Sequence, residues 1–90
     1  MYRLEAQVFG KVQGVAFRAF AIREAQRLGI VGTVDNFSDG SVSVVAEGNR
    51  VVLQSFLSRL HEGPRDAKVE RIEVKWSEAQ GKHKGFESSF

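Results

Sequence analysis

The sequence contains no cysteine. Disulfides, thiolate metal sites and a cysteine nucleophile are therefore excluded. His61 and His83 have no metal-ligand spacing, so neither a metal nor a cofactor is expected. No apolar run approaches the length needed to span a membrane. The start, Met1-Tyr2-Arg3-Leu4-Glu5, has neither the apolar core nor the cleavage site of a secretory signal, so a cytoplasmic location is the expectation. Neither sign of charge dominates: 13 Lys and Arg against 11 Asp and Glu leave a net charge of +2. That favours anionic ligands slightly and is far from the basic footprint of a nucleic-acid binder. Ninety residues make one domain, 1–90. A chain of this size buries roughly 60–65% of its unfolded surface, so its core is thin.

Local patterns order the elements. Tyr2, Leu4, Ala6 and Val8 alternate with Arg3, Glu5 and Gln7, which predicts a half-buried strand over 2–9. A glycine-bearing loop, 10–16, follows. Phe17, Phe20, Ala21, Ala25 and Leu28 then fall on one helical stripe, with Arg23, Glu24, Gln26 and Arg27 outside it. Gly29 stops that helix. Residues 30–37 and 41–47 read as two strands joined by Ser38-Asp39-Gly40, a hairpin signal. Asn49 reads as an N-cap. A second helix turns Val52, Leu53, Phe56, Leu57 and Leu60 inward and ends at Gly63 and the sole proline, Pro64. Val69–Trp76 alternates again, a basic loop spans Gly81–Gly85, and Phe86–Phe90 reads as a short edge strand. The order β-α-β-β-α-β predicts an α+β, ferredoxin-like sandwich: an antiparallel sheet with two helices on one face. That fold hosts many functions, so the function must come from a site.

The stretch F-G-K-V-Q-G-V-A-F-R, Phe9–Arg18, carries chemistry. It leaves a strand, crosses the glycine loop and ends with an arginine where a helix starts. Amide N–H groups at a helix N-terminus point outward and the helix dipole favours negative charge there. An arginine beside them offers a planar fork matched to phosphate oxygens. The stretch predicts a site for a phosphate-sized dianion. Asn36, just before the hairpin turn, shares a sheet face with Val34, an unusual place for a mere turn residue.

Gly10–Arg18 and Gly32–Val42, the latter reading G-T-V-D-N-F-S-D-G-S-V, resemble the two signature segments of the acylphosphatases. Length and element order agree as well, so the resemblance covers nearly the whole chain. It implies hydrolysis of the carboxyl–phosphate mixed anhydride of acyl phosphates, giving a carboxylate and inorganic phosphate. It also implies roles: Arg18 as the phosphate-binding arginine, Asn36 as the water-positioning asparagine, and the backbone amides of Gly14, Val15, Ala16, Phe17 and Arg18 as the phosphate cradle. The partners implied are the small-molecule acyl phosphate and inorganic phosphate, with no nucleic acid, no membrane and a monomeric state.

The chemistry suits these residue types. A carboxylate leaves without needing a proton, so a strong general acid is dispensable. Phosphoryl transfer is mostly positioning and stabilisation of charge on the equatorial oxygens. Each well-aimed donor in a water-excluded site is worth roughly 3–4 kcal/mol. With no thiol in the chain, direct attack by water is favoured over a covalent phospho-cysteine.

Other residues read more plainly. Phe17 and Phe20 are core, Lys11 and Gln13 solvated loop, and Asp35 and Asp39 strand and turn residues, since carboxylates repel a dianion. His61 is a helix-end residue favoured by the dipole, and Lys82-His83-Lys84 is a solvated basic loop. The chain departs from the family at its end. Family members finish on an apolar strand with a terminal tyrosine, packed near the arginine. Here the end is Phe86-Glu87-Ser88-Ser89-Phe90, and its docking beside the site is left open. Three rival readings differ in what they require. A phosphate-binding domain without catalysis would bind and not turn over. An RNA-binding sheet would need exposed strand aromatics, which the chain lacks. A module from a larger maturation enzyme is disfavoured by the complete small fold and the initiating Met1.

Overall fold

Seven elements appear in a computed structural model that describes residues 1–88. They are β1 (Tyr2–Lys11), α1 (Phe17–Leu28), β2 (Val31–Asn36), β3 (Val42–Gly48), α2 (Arg50–Glu62), β4 (Lys68–Glu78) and β5 (Phe86–Glu87). The strand order is β4-β1-β3-β2-β5. The first four strands in that order are antiparallel, whereas β5 joins β2 in parallel, so the sheet is mixed. The α+β, ferredoxin-like arrangement is the one expected, but the sheet, expected to be antiparallel, is not wholly so, because the short last strand lies alongside β2 in the same direction. Ser89 and Phe90 of the expected terminal strand lie outside the described residues.

Alternation decides which side is core. Leu4, Ala6, Val8, Val34, Val42, Val44 and Ala46 are all essentially buried. They meet Phe17, Ala21 and Ala25 of α1 and Leu53, Phe56 and Leu60 of α2 in one cluster. Asn49 caps α2 by accepting from the Val52 N–H at 2.9 Å, and Gly29 ends α1 in the left-handed region. Phe86 of β5 is buried edge-on against Phe56, with ring centroids 5.6 Å apart.

Two kinds of difference from the expected elements share one cause. First, strands run longer than their hydrophobic patterns. β1 continues past Gly10 to Lys11, and β4 extends to Lys68 and Glu78, because the two pair over that whole length with a register shift at Phe9/Gly10. Second, Glu24, expected outside the apolar stripe of α1, is buried, and so is Glu47. Glu24 is 8% exposed and accepts from Arg27 at 2.8 Å and from Arg59 of α2 at 2.9 Å. Glu47 is 3% exposed, faces Arg3, and accepts from the Gln80 and Gly81 N–H groups at the start of the basic loop. In each case the partner is supplied by a distant segment, and buried charge is tolerated because it is paired.

Gly32 holds the β3-β2-β5 junction. It pairs with Ala46 on one side and Phe86 on the other, and donates to the Gly85 carbonyl at 2.9 Å. Its φ is +151°, and a Cβ there would overlap the Val45 carbonyl. Gly32→Ala is therefore expected to cost about 3–4 kcal/mol, as an overpacked and strained site. A urea unfolding midpoint equal to that of the unmodified protein would show that the junction has room.

Candidate active site

The loop between β1 and α1 has an unusual hand. Gly14 has φ +72° and Ala16 has φ +63°, while Val15 between them is not left-handed. Where right- and left-handed residues alternate, successive N–H groups turn toward one side and form a nest that suits an anion. The space around Gly14 is open, so its glycine answers to φ and not to crowding. Ala16 is the sole described non-glycine residue with positive φ. A left-handed alanine costs roughly 1–2 kcal/mol and such strain collects at functional sites.

Ala16 is also the N-cap of α1, and no side chain caps that helix. No acidic residue occupies its first turn. The first N–H groups of a helix have no partner within it. At α2 a side chain answers that need; at α1 the donors stay available beside the nest. Phe17 is 1% exposed and anchors the turn in the core. Arg18 follows, partly exposed. Its Nη1 makes a long hydrogen bond of 3.5 Å to the Ser88 hydroxyl, and it forms no salt bridge to a carboxylate among the described residues.

Asn36 arrives from the other side. It is the last residue of β2, opposite Val42, and alternation puts it on the face of Val34. Its side-chain amide has no hydrogen-bond partner among the described residues. A pocket of about 320 Å³ is lined by Gly14, Ala16, Phe17, Arg18, Asn36 and Ser88, with Val12, Ala19 and Ile22 completing its apolar part. The fold thus brings together Arg18, Asn36 and three of the other four predicted residues. Val15 does not line the pocket; its side chain packs against the core. Ser88 was not expected there as a lining residue. Its contact with Arg18 shows that the atypical chain end does approach the site, at least as far as Ser88.

Gln13 is not a solvated loop residue. Its Nε2 donates to the Phe37 carbonyl at 2.7 Å and to the Ser41 carbonyl at 2.9 Å. Its partners lie 24 and 28 positions away. Asp39 is a turn residue, as expected. It accepts from the Ser41 hydroxyl and from the Ser41 N–H at 2.9 Å, and the hydroxyl bond above all holds its carboxyl below the usual range. Ser41 in turn accepts from Gln7 of β1. A second hollow, about 220 Å³, lies among Glu5, Gln7, Glu73 and Lys75 on the strands β1 and β4. Its carboxylates make it a poor host for a dianion.

Residues 4–88 match the family model described as Acylphosphatase. The chain belongs to the acylphosphatase family. It is 52% identical over 86 residues to the acylphosphatase of Thermus thermophilus, covering 96% of this chain and 97% of that one. It is 49% identical to the acylphosphatase of Salinibacter ruber, covering 93% and 88% respectively. The crystal structure of acylphosphatase from Bacillus subtilis superposes over 100% of both chains with a TM-score of 0.97 at 37% identity. Acylphosphatases are hydrolases acting on acid anhydrides, and the fold expected from the sequence is theirs.

Proposed function

We propose that this acylphosphatase hydrolyses acyl phosphates by direct attack of water on phosphorus, with no covalent intermediate. One observation carries the reading. Among the described residues, a guanidinium with no carboxylate partner, a helix end with no side-chain cap and an asparagine amide with no hydrogen bond share one pocket. The phosphoryl group rests on the amides of Gly14, Val15, Ala16, Phe17 and Arg18. Arg18 binds two of its oxygens through the guanidinium fork. Both supports strengthen as charge spreads over the equatorial oxygens, which is where stabilisation raises the rate.

The Asn36 amide holds the attacking water by hydrogen bonds. It is no base, so the water's proton passes to a phosphoryl oxygen. The new P–O bond forms as the bond from phosphorus to the acyl oxygen breaks, and the carboxylate leaves with the electron pair. No metal or cofactor is needed in this scheme, since arginine and amides supply the positive charge. Ala19 and Ile22 give the pocket an apolar border of the kind that suits a hydrocarbon acyl group. The protein is read as a single-domain, cytoplasmic monomer. No helix among the described residues is long and apolar enough to cross a membrane.

Hydrolysis of benzoyl phosphate in ¹⁸O-water tests the route. The label is expected in inorganic phosphate, with none in benzoate and no phosphorylated protein in a rapid acid quench. Label in benzoate would mean attack at carbon, and a trapped phosphoenzyme would mean a protein nucleophile. Binding of phosphate with no turnover would leave a phosphate-binding domain.

A further inference from the structure

The two halves of the site come from separate segments, and catalysis requires them in register. In-line attack is sensitive to placement: a misplacement of about 1 Å can cost ~100-fold in rate. The loop amides belong to the β1–α1 connection. Asn36 belongs to β2 and stands immediately before the hairpin turn. Gln13 is the side chain that spans the gap. It directly precedes Gly14, and its amide donates to the carbonyls of Phe37 and Ser41. Phe37 directly follows Asn36.

The bonding is complete on the donor side. A carboxamide NH₂ has two hydrogens, and each meets one carbonyl. Those carbonyls already close the turn: Ser41 O accepts from the Phe37 N–H at 2.9 Å, and Phe37 O accepts from the Gly40 N–H at 3.2 Å. Each carbonyl oxygen has a second lone pair, which Gln13 takes. No other hydrogen bond among the described residues joins loop 12–16 to turn 37–41. We infer that Gln13 is a positioning residue. It locks the phosphate cradle to the hairpin and so sets where the Asn36 amide holds water. With both hydrogens engaged by backbone, Gln13 does not donate to substrate. The inference rests on the water-positioning role proposed for Asn36.

Gln13→Met keeps the length and removes both donors. Gln13→Glu keeps the length and sets a carboxylate against two carbonyl oxygens. For Gln13→Met, kcat on benzoyl phosphate is expected to fall about tenfold, a part of the 1 Å penalty. Competitive inhibition by inorganic phosphate is expected to stay within about twofold, because the loop amides and Arg18 remain. Introduced beside Asn36→Ala, Gln13→Met is expected to add little, since both act on one water. Gln13→Glu is expected to recover relative to the unmodified enzyme as pH falls, because a protonated carboxyl regains one donor. Three results overturn the inference: an unchanged kcat in Gln13→Met, a parallel loss of phosphate affinity, or full additivity with Asn36→Ala. If Gln13→Met does not fold, the pH recovery of Gln13→Glu decides alone, and no recovery counts against it. Asn36→Ala separates the two ideas. Normal turnover there defeats the water-positioning reading itself, whereas lost turnover there beside an intact Gln13→Met defeats the bracing role only.

Discussion

Arg18→Ala is expected to abolish phosphate binding and turnover together. The loss in kcat/KM should reach about 10³-fold or more, the range seen when an arginine that stabilises phosphoryl-transfer charge is removed. The argument is one of supply. Arg18 is the charged side chain lining the pocket, and its guanidinium is not spent on a carboxylate among the described residues. The amides left behind carry partial charges only. Arg18→Lys should restore a minor share, since an ammonium is a point charge and cannot bind two oxygens in a plane. Stability should hardly move, because the side chain's hydrogen bond among the described residues is the long 3.5 Å contact with Ser88. Steady-state kinetics, inhibition by inorganic phosphate and a urea titration check all three. Retained phosphate inhibition in Arg18→Ala would remove the arginine from the binding role.

Asn36→Ala is expected to split what Arg18→Ala loses as a whole. Turnover should fall by about 10²–10³-fold, the scale of one well-aimed polar group lost at a reacting centre. Phosphate inhibition should stay within a few-fold, because in the proposed mechanism the amide acts on water and the loop amides and Arg18 hold the phosphate. The substitution leaves the β2–β3 pairing at Val42 in place and removes an amide with no hydrogen bond to the described protein, so the fold should persist. Near-normal kcat would show that the water is held elsewhere.

Much of this was legible in the sequence because it is local. The 3.6 and 2.0 periodicities place the helices and strands, and Asn36 can be assigned to the face of Val34 by counting residues. The glycine-bearing loop that meets a helix start beside an arginine is legible because those residues are neighbours in the chain. What could not be read depends on distance. Gln13 looks solvated until the hairpin folds against it. Glu24 falls off the apolar stripe of α1 and is buried only because Arg59 arrives from α2. Glu47 is buried because the basic loop turns its amides toward it. The left-handed Ala16 has no sequence signal at all, since alanine ordinarily favours the right-handed region. The last strand is a middle case: Phe86 announces an apolar anchor, while its parallel pairing with β2 is a property of the assembled sheet.

The Arg18–Ser88 contact joins residues 70 positions apart. Contacts of such separation carry a large loop-closure entropy and form once intervening structure has shortened the path. The loop 12–16 is local in sequence, whereas the Arg18–Ser88 contact depends on β5 pairing with β2. The pocket is therefore closed by the strand that joins the sheet at its edge: a chain in which β5 has not docked lacks both the Ser88 lining and the contact it makes with Arg18.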